Sequence, residues 1–328
     1  DHVFRNRRAT CLVNPRASYE TELVYAPTRT RKKVAVVGAG VAGLACATVA
    51  AQRGHDVVLF EAADDIGGQF NLARRIPGKE EFDETIRYFR RRIELDRVDL
   101  RLGTRATPEQ LDGFDSVVLS TGVVPRAVAF PGSGDPRVLR YDDVLAGRVA
   151  VGSRVAIVGA GGIGFDVAEF LAHEGVSPSL DVDAWRREWG VDIGYGNARG
   201  GLRAPEKPPV AREIWLLQRS PGKPGARLGK TTGWIHRASL KARGVKAFGD
   251  VQYVRFDEAG FHVTVDGVAQ VLPVDNIVVC AGQESNNPLE AQLRAAGRDV
   301  HVIGGAELAA ELDAKRAIAQ GSRLAAAL

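Results

Sequence analysis

The sequence predicts an α/β chain built from two copies of one parallel-sheet architecture. Three observations carry this. The glycine turn Gly38-Ala-Gly-Val-Ala-Gly43 returns as Gly159-Ala-Gly-Gly-Ile-Gly164, 121 positions further on. Each turn stands between a short β-branched run and an apolar run of helical length. The content of 45% hydrophobic and 26% charged residues is that of a folded globular chain, so the 37 glycines mark turns rather than disorder.

Taken in order, residues 1–30 show no clean period. They carry a basic cluster (Arg5, Arg7, Arg8) and Cys11, and read as a linker. Lys33–Val37 is a strand, Val41–Arg53 an apolar helix stopped by Gly54, and Val57–Glu61 a second strand. Such a βαβ unit requires parallel strands and a right-handed crossover. Glu80–Glu94 is an amphipathic helix with a basic face (Arg87, Arg90, Arg91, Arg92), and Ser116–Ser120 is a strand ending in Thr121-Gly122. The pattern then restarts with the strand Arg154–Val158 and the helix Phe165–His173. The strand that should follow, Glu213–Leu217, arrives late, after an insertion at Gly175–Arg212 rich in Gly, Pro and charge. Val263–Cys280 alternates, contains the hairpin signal Asp266-Gly267, and ends in the strand Ile277–Cys280. Val300–Ile303 is a last strand and Ala309–Leu328 a last helix. The expected domains are 31–147 together with 281–328, and 148–280.

Composition excludes several classes. The balance of 44 basic against 40 acidic residues is too mild for a nucleic-acid partner, but suits anionic small ligands. Three widely spaced cysteines form neither a disulfide framework nor a CxxC dithiol. Disulfide reduction is therefore excluded, and a reducing, cytoplasmic compartment is expected. Val34–Ala51 is free of charge, yet its glycines divide it into strand, turn and helix, so no membrane span is expected. The chain contains no Met, which predicts a processed or cut piece of a longer chain.

Both glycine turns have the form of a dinucleotide cradle. In Gly38-Ala-Gly40-Val-Ala-Gly43 the first Gly makes the tight turn and the second lets a pyrophosphate approach the backbone. The third lets helix pack on strand, and the helix N-terminus offers free N–H groups. Glu61 stands eighteen residues beyond Gly43, at the end of the second strand, placed to accept from ribose hydroxyls. In the second copy (Gly161, Gly162, Ile163) the following strand ends in Gln218-Arg219-Ser220 rather than an acid. A carboxylate there repels a 2′-phosphate and an Arg attracts one, so this site is expected to take NADPH, with Lys223 and Arg227 close behind. The fold class is therefore two Rossmann-like dinucleotide-binding domains. Two dinucleotides on one chain point to hydride transfer between a nicotinamide and FAD.

More specific motifs follow. Cys11-Leu-Val-Asn-Pro-Arg-Ala17, Gly67-Gly-Gln-Phe-Asn71, Ile76-Pro-Gly-Lys-Glu-Glu-Phe82, Gly159–Asp166, Leu228-Gly-Lys-Thr-Thr-Gly-Trp-Ile-His236 and Ala310–Gly321 together resemble the bacterial NADPH-dependent 2,4-dienoyl-CoA reductases. These belong with the multidomain old-yellow-enzyme flavoproteins and trimethylamine dehydrogenase. The resemblance implies an N-terminal TIM barrel, absent here, that carries FMN and the unsaturated acyl-CoA site. It also implies a [4Fe–4S] cluster whose last ligand matches Cys11. The present chain would be the NADPH-to-FAD electron-input half, with no catalytic side chain of its own, in an enzyme of fatty acid β-oxidation.

The same resemblance assigns FAD contacts. Gly38, Gly40, Ala42 and Gly43 face the pyrophosphate, and Glu61 the adenosine ribose. Gln69 and Lys79 reach the diphosphate and ribityl region. Ala106, in the strand after the basic helix, offers backbone to the adenine, and Thr121-Gly122 closes beside the cofactor. Gly305 and the helix start Leu312-Asp313-Ala314 lie by the flavin, so the FAD domain is discontinuous. Trp234 is a candidate for the nicotinamide pocket. Two other readings stay open: a stand-alone NADPH:flavin electron-transfer subunit, and a non-catalytic nucleotide-binding module.

Overall fold

The computed structural model describes residues 2–196, 199–310 and 313–328. They form two compact units, one of Asp1–Asn71, Glu81–Val124 and Gln283–Leu328, the other of Leu72–Glu80 and Pro125–Gly282. Residues 125–147, which the sequence pattern joins to the first domain, thus belong to the second. The reason is strand pairing, given below.

The first unit opens with β1 (Lys33–Val37), α1 (Val41–Gln52) and β2 (Asp56–Phe60), paired in parallel register from Lys33↔Asp56 to Val37↔Phe60. Val34, Ala35 and Val36 are fully buried, as a strand covered on both faces requires. α1 is buried from Ala42 to Ala50 with no polar face, so it must be enclosed by more than the sheet. α2 (Phe70–Ala73), α3 (Phe82–Leu95), β3 (Asp99–Arg101), β4 (Ser116–Leu119) and β5 (Val123–Pro125) follow. α3 buries Ile86, Phe89 and Ile93 at helical spacing. Its expected basic face is neutralised: Arg87 pairs with Glu84, Arg90 with Asp65 at 2.7 Å, Arg91 with Glu94 at 2.7 Å and Arg92 with Asp96 at 2.9 Å. The N-terminal segment is tied to this unit through Leu23, which is buried, and through Arg53, whose Nε donates to Ala26 O at 2.9 Å.

The second unit contains β6 (Val138–Arg140), α4 (Tyr141–Ala146), β7 (Arg154–Val158), α5 (Gly162–Ala172), α6 (Val182–Trp189), β8 (Glu213–Leu217), α7 (Gly233–Ala242), β9 (Lys246–Phe248), β10 (Val251–Asp257), β11 (Gly260–Val265), β12 (Val268–Leu272) and β13 (Asn276–Val279). Its parallel sheet has the order β6-β13-β7-β8-β9. β6 pairs with β13, from Val138↔Ile277 to Arg140↔Val279, which is why residues 125–147 belong here. β10, β11 and β12 form an antiparallel meander. The expected hairpin turn at Asp266-Gly267 joins β11 to β12, with φ of 48° and 80°. The excursion Leu72–Glu80 joins this unit through Ile76, buried with Tyr141, Val144 and Phe165.

The chain returns to the first unit as β14 (Gln283–Ser285), α8 (Glu290–Ala295), β15 (Val300–Val302) and α9 (Ala314–Ala327), completing a parallel sheet of order β15-β4-β1-β2-β3. α9 starts at Ala314, not at the expected Ala309. It supplies the second cover of α1. A Cβ on Gly321 would overlap the Ala42 carbonyl, and Arg53 Nη1 donates to Ala325 O at 2.5 Å. Residue 321 by Ala42 and residue 325 by Arg53 make the two helices parallel, the start of α1 lying beside the middle of α9. Among the described residues no helix is long and apolar enough to cross a membrane.

Candidate dinucleotide sites

The two cradles share their main backbone bonds. Gly38 N donates to Phe60 O and Gly159 N to Leu217 O, each at 2.8 Å. Both glycines have positive φ (104° and 108°), and a Cβ on either would press on a carbonyl of the neighbouring strand end, Ser120 O at 2.6 Å or Cys280 O at 2.5 Å. Only glycine fits there. Gly43 and Gly164 are fixed by close packing, because a Cβ on either would overlap the carbonyl oxygen of Gly38 or Gly159. Gly40, Gly161 and Gly162 differ: a Cβ on any of them meets nothing within 4 Å. Protein packing therefore does not explain these three glycines, and open space stands before them.

Helix ends complete the cradles. α1 and α5 have no side-chain cap, and their first helical bonds are Leu44 N to Gly40 O (2.9 Å) and Phe165 N to Gly161 O (3.0 Å). The preceding N–H groups, Ala42 and Ile163 included, face outward at the positive end of the helix dipole. An anion fits such a place.

The cradles diverge at the tip of the second strand. Glu61 N and Gln218 N occupy the same register, donating to Arg101 O (2.9 Å) and Phe248 O (2.8 Å). Glu61 carries a carboxylate whose oxygens accept from Ala39 N (2.7 Å) and Ala63 N (2.8 Å), which holds it beside the cradle. Gln218 is neutral and turns its amide to its own loop, donating to Ser220 O (3.0 Å) and Gly222 O (3.3 Å). Arg219 and Ser220 are exposed, and among the described residues Arg219 has no hydrogen-bond or carboxylate partner. Behind it lies Tyr253, whose phenol is pushed up to about 12 by burial, with the Arg219 charge opposing that shift.

In the first unit Ala106 is in the loop after β3, not in a strand, because β3 ends at Arg101. It is buried, and its N–H and C=O have no partner among the described residues. Gln69 is exposed, its Oε1 accepting from Gln283 Nε2 at 3.2 Å. Thr121-Gly122 is laced to the β14 region: Asn286 N donates to Gly122 O at 3.0 Å and Thr121 Oγ1 donates to Asn286 O. Gly304–Ala306 is a buried 3-10 turn whose Gly304 lies against Ala42 at the start of α1. Gly305 thus follows a residue set between Ala42 of α1 and Ala317 of α9. Asp313 turns its carboxylate to Arg316 N (2.6 Å) as the cap of α9, ahead of Ala314. Leu312 lies outside the described residues.

Lys79 sits in the second unit, not with Gln69. Its Nζ is held by both oxygens of Asp166 on α5, at 2.6 and 2.7 Å. Sequence reasoning gave Asp166 no role. The signal was its place one turn into a glycine-started helix, where no apolar stripe calls for an acid. Trp234 is 57% exposed and its Nε1 donates to Thr231 O at 3.0 Å. Cys11 is an exposed free thiol. Cys46 and Cys280 are buried, and burial raises both thiols, Cys46 to about 12.

These features suit dinucleotides: open space before Gly40 and Gly161, uncapped helix starts, and the unpaired Ala106 backbone as an edge for a base. Residues 32–303 match the family model of the pyridine nucleotide-disulphide oxidoreductases. The chain belongs to this family and is a flavin- and NAD(P)-dependent oxidoreductase module, whose family cofactors are FAD and NAD(P)H. It is 32% identical over 318 residues to a metal reductase of Desulforamulus reducens, covering 93% of this chain and 46% of that protein. It is 31% identical to an NADH oxidase of Thermoanaerobacter brockii, covering 93% and 42%. A 2-naphthoyl-CoA reductase structure superposes with a TM-score of 0.84 at 25% identity, over 100% of this chain and 44% of that one. The chain spans less than half the length of these relatives.

Proposed function

We propose that the chain is the NADPH-to-FAD electron-input part of a 2,4-dienoyl-CoA-reductase-like flavoenzyme. The observation that carries this is the divergence between two cradles of one backbone form: Glu61 at one strand tip, neutral Gln218 followed by Arg219 at the other. The carboxylate accepts from a ribose with free hydroxyls, and the arginine selects a 2′-phosphate.

FAD would be held by Gly38, Gly40, Ala42 and Gly43 at the pyrophosphate, Glu61 at the ribose and the Ala106 backbone at the adenine. Gln69, Lys79, Gly122, Gly305, Leu312, Asp313 and Ala314 would serve toward the flavin. NADPH would be held by Gly161, Gly162, Ile163, Arg219 and Ser220. Bound flavin supplies a centre that takes up two electrons together and releases them singly. The chain's own part is binding and orientation. Hydride transfer needs no protein acid or base, and none is assigned. The start of α9 would offer the N–H groups of Ala314 and Lys315, which Asp313 leaves uncapped, to negative charge on a reduced ring.

In this reading Cys11 is the last ligand of a [4Fe–4S] cluster. FMN and the acyl-CoA site belong to a TIM-barrel partner domain, and the compartment is cytoplasmic. The test uses the purified chain supplied with FAD. NADPH should bleach the flavin absorbance and drive an artificial electron acceptor, while a dienoyl-CoA stays unreduced. Failure to retain flavin, or dienoyl-CoA reduction by this chain alone, refutes the proposal.

A further inference from the structure

The turn Gly304–Ala306 lies between β15 and the run to α9, and all three of its residues are buried. Buried N–H groups are almost always paired. Ile303 N donates to Leu119 O at 2.9 Å, and Glu307 N donates to Gly304 O. The N–H of Gly305 has no partner among the described residues. A buried donor left over in this way calls for a partner from outside the protein.

The residues on either side of Gly305 are held by side chains from elsewhere in the same unit. Gln320 stands on α9, sixteen positions after Gly304. Its Oε1 accepts from Gly304 N at 2.7 Å, and its Nε2 donates to Glu307 Oε2. One amide thus closes both ends of the turn. Asn287 holds the carbonyl side, its Nδ2 donating to Ala306 O at 3.0 Å and to Glu290 Oε2 at 2.9 Å. The residue before it, Asn286, donates from its own Nδ2 to Thr121 O at 3.2 Å, which ties this clamp to Thr121-Gly122. Gly304 has little room to shift: its φ is 65°, and a Cβ there would lie 2.9 Å from that of Ala42. A 3-10 turn has poor internal hydrogen-bond geometry, so these side chains decide where its N–H groups stand.

We propose, on the FAD assignment of Gly305 given above, that Gln320 and Asn287 are positioning residues of the flavin site. They act through the turn, fixing Gly304 and Ala306 so that the N–H between them stays unpaired for the ring. A donor fixed beforehand needs no rearrangement as negative charge grows on the flavin. The clamp therefore favours the reduced form over the oxidised one. Gln320 has the larger share, because it alone contacts both ends.

Three measurements on the purified chain test this: the two-electron midpoint potential of bound FAD, amide exchange of the turn in the flavin-free chain, and the melting temperature. Gln320→Ala should speed exchange at Gly304 about tenfold or more. It should also lower the potential by about 15–30 mV, a roughly threefold to tenfold loss of preference for reduced flavin. Gln320→Glu keeps an acceptor for Gly304 N but sets two carboxylates together, and should lower the potential too. Combining Gln320→Glu with Glu307→Gln restores an amide–carboxylate pair at the parent net charge. That double variant should return both the potential and the exchange rate to the parent values. Lost packing alone would lower the melting temperature and leave the potential in place. Should Gln320→Ala misfold, Asn287→Ala carries the same test from the carbonyl side. A parent that retains no flavin overturns the FAD assignment, and the clamp's role with it. A parent that holds flavin overturns the clamp alone if neither alanine variant moves the potential, or if the double variant does not restore it.

Discussion

Replacing Gly161 by Ala separates nucleotide binding from folding. Gly161 has φ −83° and ψ −169°, an extended conformation open to any residue, and a Cβ there meets no protein atom within 4 Å. Substitution at such a compatible site leaves stability unchanged or raises it by about 0.4–1 kcal/mol, through the unfolded chain. On the proposed assignment, the new methyl stands where a pyrophosphate approaches the backbone. Losing one charge-assisted hydrogen bond there costs about 1.5–3 kcal/mol, which is roughly tenfold to a hundredfold in Kd. Gly164→Ala is the mirror case. Its Cβ overlaps the Gly159 carbonyl, so backbone must move, at a cost of about 3 kcal/mol or more. Fluorescence titration with NADPH and calorimetric melting read both effects. An unchanged Kd in Gly161→Ala, or a melting temperature that falls as far as in Gly164→Ala, refutes the assignment of the cradle.

Arg219→Ala should weaken NADPH about tenfold or more and leave NADH nearly unchanged, since among the described residues the arginine has no hydrogen-bond partner. Equal loss for both nucleotides, measured by KM ratios, would show that it only shapes the loop. Glu188→Ala strands the buried Arg243 and should cost about 3 kcal/mol in urea unfolding of the second unit; a loss within error of zero contradicts the anchoring role. A thiol reagent at pH 8 should titrate one cysteine in the native chain, Cys11, and three after denaturation. The Asp135 carboxyl is held down to about 2 by hydrogen bonding to the Arg137 side chain. Its folded value lies below its unfolded one, so its contribution is present above the unfolded value of about 3.9 and lost as pH falls toward 2. Asp135→Asn should flatten acid melting in that window, and an unchanged acid profile counts against it.

The elements that dictate themselves locally were legible. β1, α1 and β2 are read off by β-branched runs and a glycine turn, and the repeat at Gly159 needs no further information. β10 and α6 were not, because their apolar residues are sparse and partly exposed: β10 alternates imperfectly across a bulge at Tyr253/Arg255, and α6 buries no residue fully. The domain boundary was misread for a different reason. β6 is three residues long, and its allegiance is decided by pairing with residues 139 positions later. No local pattern records such a partner. At the first cradle, the turn at Gly40 and the strand-end place of Glu61 were legible by spacing, whereas the Lys79–Asp166 pair joins residues 87 apart and is visible only once folded.

In the proposed reading, the repeat adapts one scaffold to two nucleotides. The backbone bonds that shape the cradle, Gly38 N to Phe60 O and Gly159 N to Leu217 O, are the same, and so is the strand end packed on each first glycine. They cannot vary freely, because each uses a carbonyl that also fixes the sheet. Side chains at the strand tip carry no such duty. Glu61 is held by two backbone N–H groups that its own carboxylate recruits, and Gln218 in the same register recruits none of them, turning instead to Ser220 O and Gly222 O. A single change of side chain at that register therefore exchanges a negative tip for a neutral one without disturbing the turn. On the proposed assignment, ligand preference sits in the tip, and ligand geometry sits in the backbone.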